Sequence, residues 1–96
     1  MKDIFFGDFR TFVIQYVILI DKQSFDVDSI EWFLLKYLRR VVKSTEPENS
    51  AGRVESSMRS LMRFYVDNID EKSETGDYCI KIYAEYRKTL RQGQTK

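Results

Sequence analysis

Side chains that could do chemistry are few in this sequence, and most of them are carboxylates. Acidic residues lie close together at Asp26 and Asp28, and again at Asp67, Asp70 and Glu71. Paired carboxylates can act as general acid and base or bind a metal ion. Here both groups fall at the start of a predicted helix or in a loop, where helix capping and solvation account for them. We therefore predict neither a metal site nor an acid–base pair.

Thiol and imidazole chemistry is almost absent. The chain has no histidine and a single cysteine, Cys79, which removes most zinc sites and every His-based catalytic group. Cys79 falls on an apolar stripe, where a cysteine behaves as a small hydrophobic residue. Glycine-rich phosphate loops and nucleophile motifs are also missing. The sequence thus predicts a protein that is not an enzyme and needs no cofactor, and the lone cysteine favours a reducing, cytoplasmic compartment.

Basic residues offer the remaining chemistry, the binding of phosphate or of acidic groups. The net charge of the whole chain is only +1, which argues weakly against a dedicated nucleic-acid-binding domain. Residues 36–66, however, carry seven positive and three negative charges, and residues 78–96 carry five positive and one negative. These basic residues are either ordinary solvated helix faces or, if the helix ends meet, one patch that binds an anionic partner. The candidate binding residues are Arg39, Arg40, Lys43, Arg59, Arg63, Arg87 and Arg91, and Arg53 and Lys88 would also belong to the patch.

Two large aromatic residues stand apart from the rest. Trp32 lies off the apolar stripe of its segment, and Phe64 lies off that of the following segment. Exposed aromatic side chains often anchor protein interfaces. Both are therefore candidate partner-binding residues, the alternative being that they are core residues at the rim of the bundle.

The elements that must position these side chains follow from the apolar spacing. Four segments repeat apolar residues three and four apart, as a helix requires: 4–21, 29–43, 51–69 and 77–92. Asp28 with Glu31 predicts a capping box before the second segment, and Ser50 and Asp77 are predicted N-caps of the third and fourth. The predicted fold is an all-α bundle of about four helices. It forms one domain over residues 1–92, followed by a disordered tail at 93–96.

Two of the segments also fit β-strands. Residues 9–20 are rich in Val, Ile, Tyr and Phe, which favour strands, and Gly7-Asp8 could form a hairpin turn before them. Residues 78–84 alternate in a way that is also typical of a strand. With strands near residues 9–20 and 78–84, the fold would be α+β.

The helical reading gives a definite hydrophobic core. Each of its members falls on the apolar stripe of its segment. The predicted core residues are Phe9, Phe12, Val13, Tyr16, Val17, Ile20, Ile30, Phe33, Leu34, Leu38, Val54, Met58, Leu61, Met62, Val66, Ile80 and Tyr83.

The expected function is binding. A helix over residues 4–21 would be apolar on most of its circumference, which predicts cover by a partner and favours a homodimer. The apolar run Thr11–Ile20 is too short to cross a bilayer and lacks signal-peptide features, so no membrane association is expected. We expect a small regulatory or adaptor protein that binds another protein, such as an inhibitor or anti-regulator from a virus or mobile element. The alternative is a nucleic-acid-binding transcriptional regulator that uses Arg-rich helix faces.

Overall fold

The fold is an all-α bundle. The computed structural model describes residues 5–46 and 49–94. Within these ranges the chain forms no strand and four helices, α1 (Gly7–Asp21), α2 (Ile30–Ser44), α3 (Ala51–Asn68) and α4 (Glu74–Gln94). The predicted all-α class is confirmed, and the alternative with strands near 9–20 and 78–84 is wrong. Over the part of the chain that the structure describes, no helix has the length and apolarity needed to span a membrane.

The four helices form a closed ring. Each helix packs against the next one along the chain, and α4 returns to pack against α1. The rings of Phe9 and Tyr86 have centroids 5.7 Å apart, and those of Tyr16 and Tyr78 are 4.9 Å apart. Since one residue number rises as the other falls, α1 and α4 are antiparallel. Short connections give the same relation between helices that are adjacent in sequence.

Helix α1 forms without any side-chain cap, because tertiary burial stabilises it. Phe9, Val13 and Ile20 are buried at helical spacing. The opposite face is exposed and carries Asp8, Thr11 and Gln15. The strand-forming residues are helical here because burial against α2 and α4 outweighs their weak local preference. The hairpin predicted at Gly7-Asp8 is therefore wrong, since these residues form the first turn of α1.

Helix α2 begins one residue later than predicted and has a different cap. Ser29 is the N-cap, and its Oγ accepts a hydrogen bond from the Trp32 N–H at 3.2 Å. Asp28 has a φ of 70°, so it reverses the chain and lacks the extended backbone of an N-cap. The predicted capping box of Asp28 and Glu31 is therefore wrong. Ser50 does occupy the N-cap position of α3, but its side chain makes no capping hydrogen bond.

Helix α4 begins three residues earlier than predicted. Ser73 Oγ accepts a hydrogen bond from the Gly76 N–H at 3.0 Å, which is the geometry of an N-cap. Asp77, the predicted cap, lies in the first turn and pairs with Lys81 at 3.0 Å. Residues 75 and 76, which precede the predicted segment 77–92, are therefore already helical. The helix continues through Gln94, into the predicted tail at 93–96, and residues 95 and 96 lie outside the described residues.

Most of the predicted core is confirmed. Phe12, Tyr16, Val17 and Met62 of the predicted set are half-buried. Eight further predicted residues are fully enclosed: Phe9, Val13, Ile20, Leu34, Leu38, Val54, Met58 and Leu61.

Five predicted core residues are instead exposed. They are Ile30, Phe33, Val66, Ile80 and Tyr83, and Val66 retains 74% of its accessible surface. The sequence offers overlapping apolar stripes on α2 and α4, and packing selects between them. On α2 the buried face includes Leu35 and Val41, and on α4 it comprises Tyr78, Cys79, Ile82 and Tyr86. Because α4 contacts α1 through Tyr78 and Tyr86, Ile80 and Tyr83 turn outward.

Gly76 is required by the close approach of α4 to the preceding loop, which gives a first prediction. A Cβ at Gly76 would lie well inside contact distance of the Asp70 carbonyl oxygen, whereas a Cβ at Gly52 would meet only Ser50 Oγ at 3.6 Å. We expect Gly76→Ala to lower the free energy of unfolding by about 1–3 kcal/mol. Gly52→Ala should be neutral or raise it by up to about 1 kcal/mol, because alanine favours helix. Urea denaturation of both variants measures these changes, and equal stability of the two would contradict the prediction.

Candidate interaction site

The outer side of α2 and its contact with α3 carry a connected set of aromatic rings. Trp32 and Phe33 meet edge to face with centroids 4.9 Å apart, and Phe33 lies 6.2 Å from Phe64. Phe64 then stacks on Tyr37 at 4.8 Å with an interplanar angle of 26°. We call these four residues the aromatic surface. Phe33 is 38% exposed and the other three are half-buried, so the rings lie at the rim of the bundle.

Two cations flank the aromatic surface. Lys36 Nζ lies 4.1 Å from the centroid of the Trp32 ring, and Arg40 Cζ lies 5.4 Å from that of Tyr37. Both follow from helical geometry, because residues three and four apart share one face. Such contacts contribute about 0.5–1 kcal/mol each when exposed. They hold the cations near the rings but are weak enough to leave both cations able to bind a partner.

The α2–α3 contact continues from the aromatic surface into a polar groove. Ser44 Oγ on α2 lies 2.8 Å from Ser57 Oγ on α3. This pair is two helical turns along from the Tyr37–Phe64 stack, because Ser44 follows Tyr37 by seven residues and Ser57 precedes Phe64 by seven in the antiparallel helix. The groove beside this pair has a volume of about 770 Å³. We call it the serine groove, because five serines line it together with Arg40, Lys43 and Arg53. Arg40 therefore belongs to both regions.

A second groove lies between α3 and α4. Its floor is apolar and includes Met58, Met62 and Leu90, and its volume is about 600 Å³. Its two arginines are already engaged. Arg59 pairs with Glu55 at 2.7 Å, and the Arg87 guanidinium donates to the Tyr83 hydroxyl at 3.3 Å.

The structure distributes the predicted site residues over several places. Trp32 and Phe64 join in the aromatic surface, and Arg40 and Lys43 lie at the serine groove. The remaining predicted arginines lie elsewhere: Arg39 pairs with Asp21 at 3.5 Å, Arg59 and Arg87 line the α3–α4 groove, and Arg63 and Arg91 are exposed on α3 and α4.

Sequence reasoning missed several members of the site. Phe33 is a predicted core residue, and Tyr37 keeps the same apolar spacing along α2, so the spacing predicts neither of them at the surface. Arg53 was placed in the basic patch but was not chosen as a binding residue. Lys36 could have been found, because it follows Trp32 by four residues, the spacing at which a helix brings side chains together.

The carboxylates that the sequence offers for catalysis lie at the surface, and its one thiol lies in the core. Asp26, Asp28 and Asp67 are exposed. Among the described residues, no three His, Cys, Asp or Glu side chains group closely enough to hold a metal ion. Cys79 is fully buried, and its burial raises the pKa of the thiol to about 12. Burial likewise raises the pKa of the Tyr86 hydroxyl.

The chain matches no protein-family model, no curated protein and no solved structure.

The raised pKa of Cys79 predicts an unreactive thiol. With a pKa of about 12 instead of 9.0, the thiolate fraction at pH 8 is about a thousandfold lower than that of an ordinary cysteine. We expect iodoacetamide to modify the native protein far more slowly than the urea-unfolded chain, as followed by mass spectrometry. Below pH 9 the thiol is neutral in both the folded and the unfolded chain, and its ionisation does not affect stability. As the pH rises from 9 towards 12 the thiol ionises more readily in the unfolded chain, so the free energy of unfolding falls. Equal modification rates would contradict the assignment.

Proposed function

We propose that this protein acts by binding another protein through the aromatic surface, and that its regulatory effect comes from occupying the partner. The observation that carries the proposal is a connected set of four partly exposed aromatic rings at the rim of the bundle and beside two cations. Aromatic residues and arginine are the residue types most enriched among the energetically dominant residues of protein interfaces.

The charge of α2 supports an acidic partner. Its exposed side carries Lys36, Arg40 and Lys43 besides Arg39, which pairs with Asp21, and its only acidic residue is Glu31. A partner surface with carboxylates around an apolar centre would be complementary to this arrangement. Complementary charge speeds association and orients the partner, while desolvation of the rings supplies most of the affinity.

Nucleic-acid binding, the alternative expected from sequence, has less support. Nonspecific binding to a phosphate backbone needs a continuous track of cations. Here Arg39 faces Asp21, and Arg59 faces Glu55 on another side of the bundle. Arg39 and Arg59 are therefore less available to a phosphate backbone, and only the protein-binding proposal also accounts for the aromatic surface.

A substitution at the centre of the aromatic surface tests the proposal. We expect Phe33→Ala to weaken capture of the partner by about 30-fold or more, the effect of losing roughly 2 kcal/mol at an interface. Fold stability should fall by only about 1 kcal/mol, because Phe33 is already partly solvated. The measurement is a quantitative pull-down from host lysate with and without nuclease, with circular dichroism as the check on folding.

Ile80→Ala is the matched control, because Ile80 is similarly exposed but lies on α4, outside the aromatic surface. Capture that survives Phe33→Ala, or that falls equally with Ile80→Ala, would count against the aromatic surface. Capture that disappears with nuclease would favour the nucleic-acid alternative.

We also propose that the free protein is a homodimer, which the exposed Ile18 and Leu19 on α1 support. Sedimentation equilibrium should give twice the chain mass for the native protein. The double variant Ile18→Asp, Leu19→Asp should sediment as a monomer, because two buried carboxylates without partners oppose association. A native protein that stays monomeric at high micromolar concentration would rule out this dimer.

A further inference from the structure

The serine groove contains cations that the rest of the described chain does not neutralise. Arg40, Lys43 and Arg53 line it. No described carboxylate lies within ion-pair distance of any of the three. This separates them from Arg39 and Arg59, which have acidic partners. With Glu46 as the one acidic residue in the lining, the described groove carries a formal charge of +2.

The groove also offers hydroxyl donors. Ser44 and Ser57 are buried and bond to each other and to their own helices. Ser50, Ser56 and Ser60 line the same groove, and their hydroxyls make no hydrogen bond to another described residue. The groove also includes the start of α3, where the positive end of the helix dipole adds to the cationic charge.

Cations, hydroxyls and a helix start together are the groups that bind phosphate oxygens. The formal charge of +2 matches a phosphate monoester, which carries close to two negative charges at neutral pH. A phosphodiester carries only one negative charge per phosphate, so a single phosphodiester matches the charge of the groove less well. We propose that the serine groove is a binding site for a phosphate monoester.

The source of that phosphate follows from the continuity of the two regions. Arg40 touches Tyr37 of the aromatic surface and also lines the serine groove. A polypeptide lying on the aromatic surface would therefore present its next residues to the groove. The partner that binds the aromatic surface therefore carries a phosphorylated side chain beside its apolar contact residues, a conclusion that rests on the proposed function.

The test uses a small probe, so it does not need the partner. N-acetyl-phosphoserine amide is titrated into the ¹⁵N-labelled protein at constant ionic strength, and the amide signals of Gly52, Arg53 and Ser56 are followed. We expect saturable shifts at these residues. Dimethyl phosphate, a monoanionic diester, should bind with at most a fifth of the affinity of N-acetyl-phosphoserine amide.

Substitutions decide whether the shifts come from the groove. Arg53→Gln should weaken phosphoserine binding by about five-fold, as expected for losing one charge-assisted contact at a partly exposed site. A positive charge near the N-terminus of a helix interacts unfavourably with the helix dipole, so replacing Arg53 does not destabilise α3 and the fold is retained. Lys43→Gln is the second variant, and Lys88→Gln, an exposed lysine on α4, is the matched control with unchanged affinity.

Each of the other outcomes overturns the inference. These outcomes are no saturable shift, equal affinity for dimethyl phosphate, and equal loss in Lys88→Gln and Arg53→Gln. Preference for an oligothymidylate over phosphoserine would assign the groove to nucleic acid. Failure here is separate from failure of the proposed function. The phosphoserine titration does not depend on Phe33, and partner capture by the aromatic surface can survive without phosphate.

Discussion

The packing of α1 against α4 closes the bundle, and the choice of buried face on both helices depends on it. Phe9 meets Tyr86 and Tyr16 meets Tyr78 along this contact. Aromatic pairs of this kind contribute about 0.5–1.5 kcal/mol each beyond the area they bury. Helix α1 has no side-chain cap, so these contacts and its burial against α2 decide whether it is helical. The aromatic contacts with α1 also fix the rotation of α4 about its own axis, because Tyr78 and Tyr86 must face α1.

Closing the ring leaves α2 with two covered sides and one free side. The buried apolar residues on the covered sides of α2 include Leu34, Leu35, Leu38 and Val41. No described helix remains to cover the outer residues of α2. The aromatic surface is therefore left at the rim, where Phe33 and its neighbours cover one another only in part. Exposed rings of this extent are unfavourable in water, and a partner that covers them would recover that free energy.

The charges follow the same division. On α3, Glu55 neutralises Arg59 beside the groove with the apolar floor, and on α1 Asp21 neutralises Arg39. The serine groove lacks such described partners, so its cations remain available to an anion. The bundle thus separates an apolar, internally neutralised groove from a cationic, hydroxyl-lined one. Only the second adjoins the aromatic surface.

Much of this fold could be predicted from the sequence, because helical periodicity is a local property. The spacing of Leu34 and Leu38, and of Val54, Met58 and Leu61, predicts α2 and α3 and the middle of each buried face correctly. The same stripes also predict burial of Ile30, Phe33 and Val66, which are exposed. The polar residues along α1 likewise predict its exposed face. For the site, Trp32 and Phe64 could be selected because each breaks the stripe of its own helix.

Tertiary structure alone decided the rest, because several apolar stripes on a helix satisfy the same spacing rule. Ile80 and Tyr83 fit the helical period as well as Ile82 does, but only Ile82 is buried, because Tyr78 and Tyr86 on either side of it face α1. Similarly, the sequence determined that basic residues collect on α2, α3 and α4. Which of them meet is set by the order of helices around the ring. Because of that order, Arg53 and Arg40 line the same serine groove, whereas Arg59 and Arg87 line the groove between α3 and α4. Residues distant in sequence become neighbours only through packing, so the sequence alone does not predict either pairing.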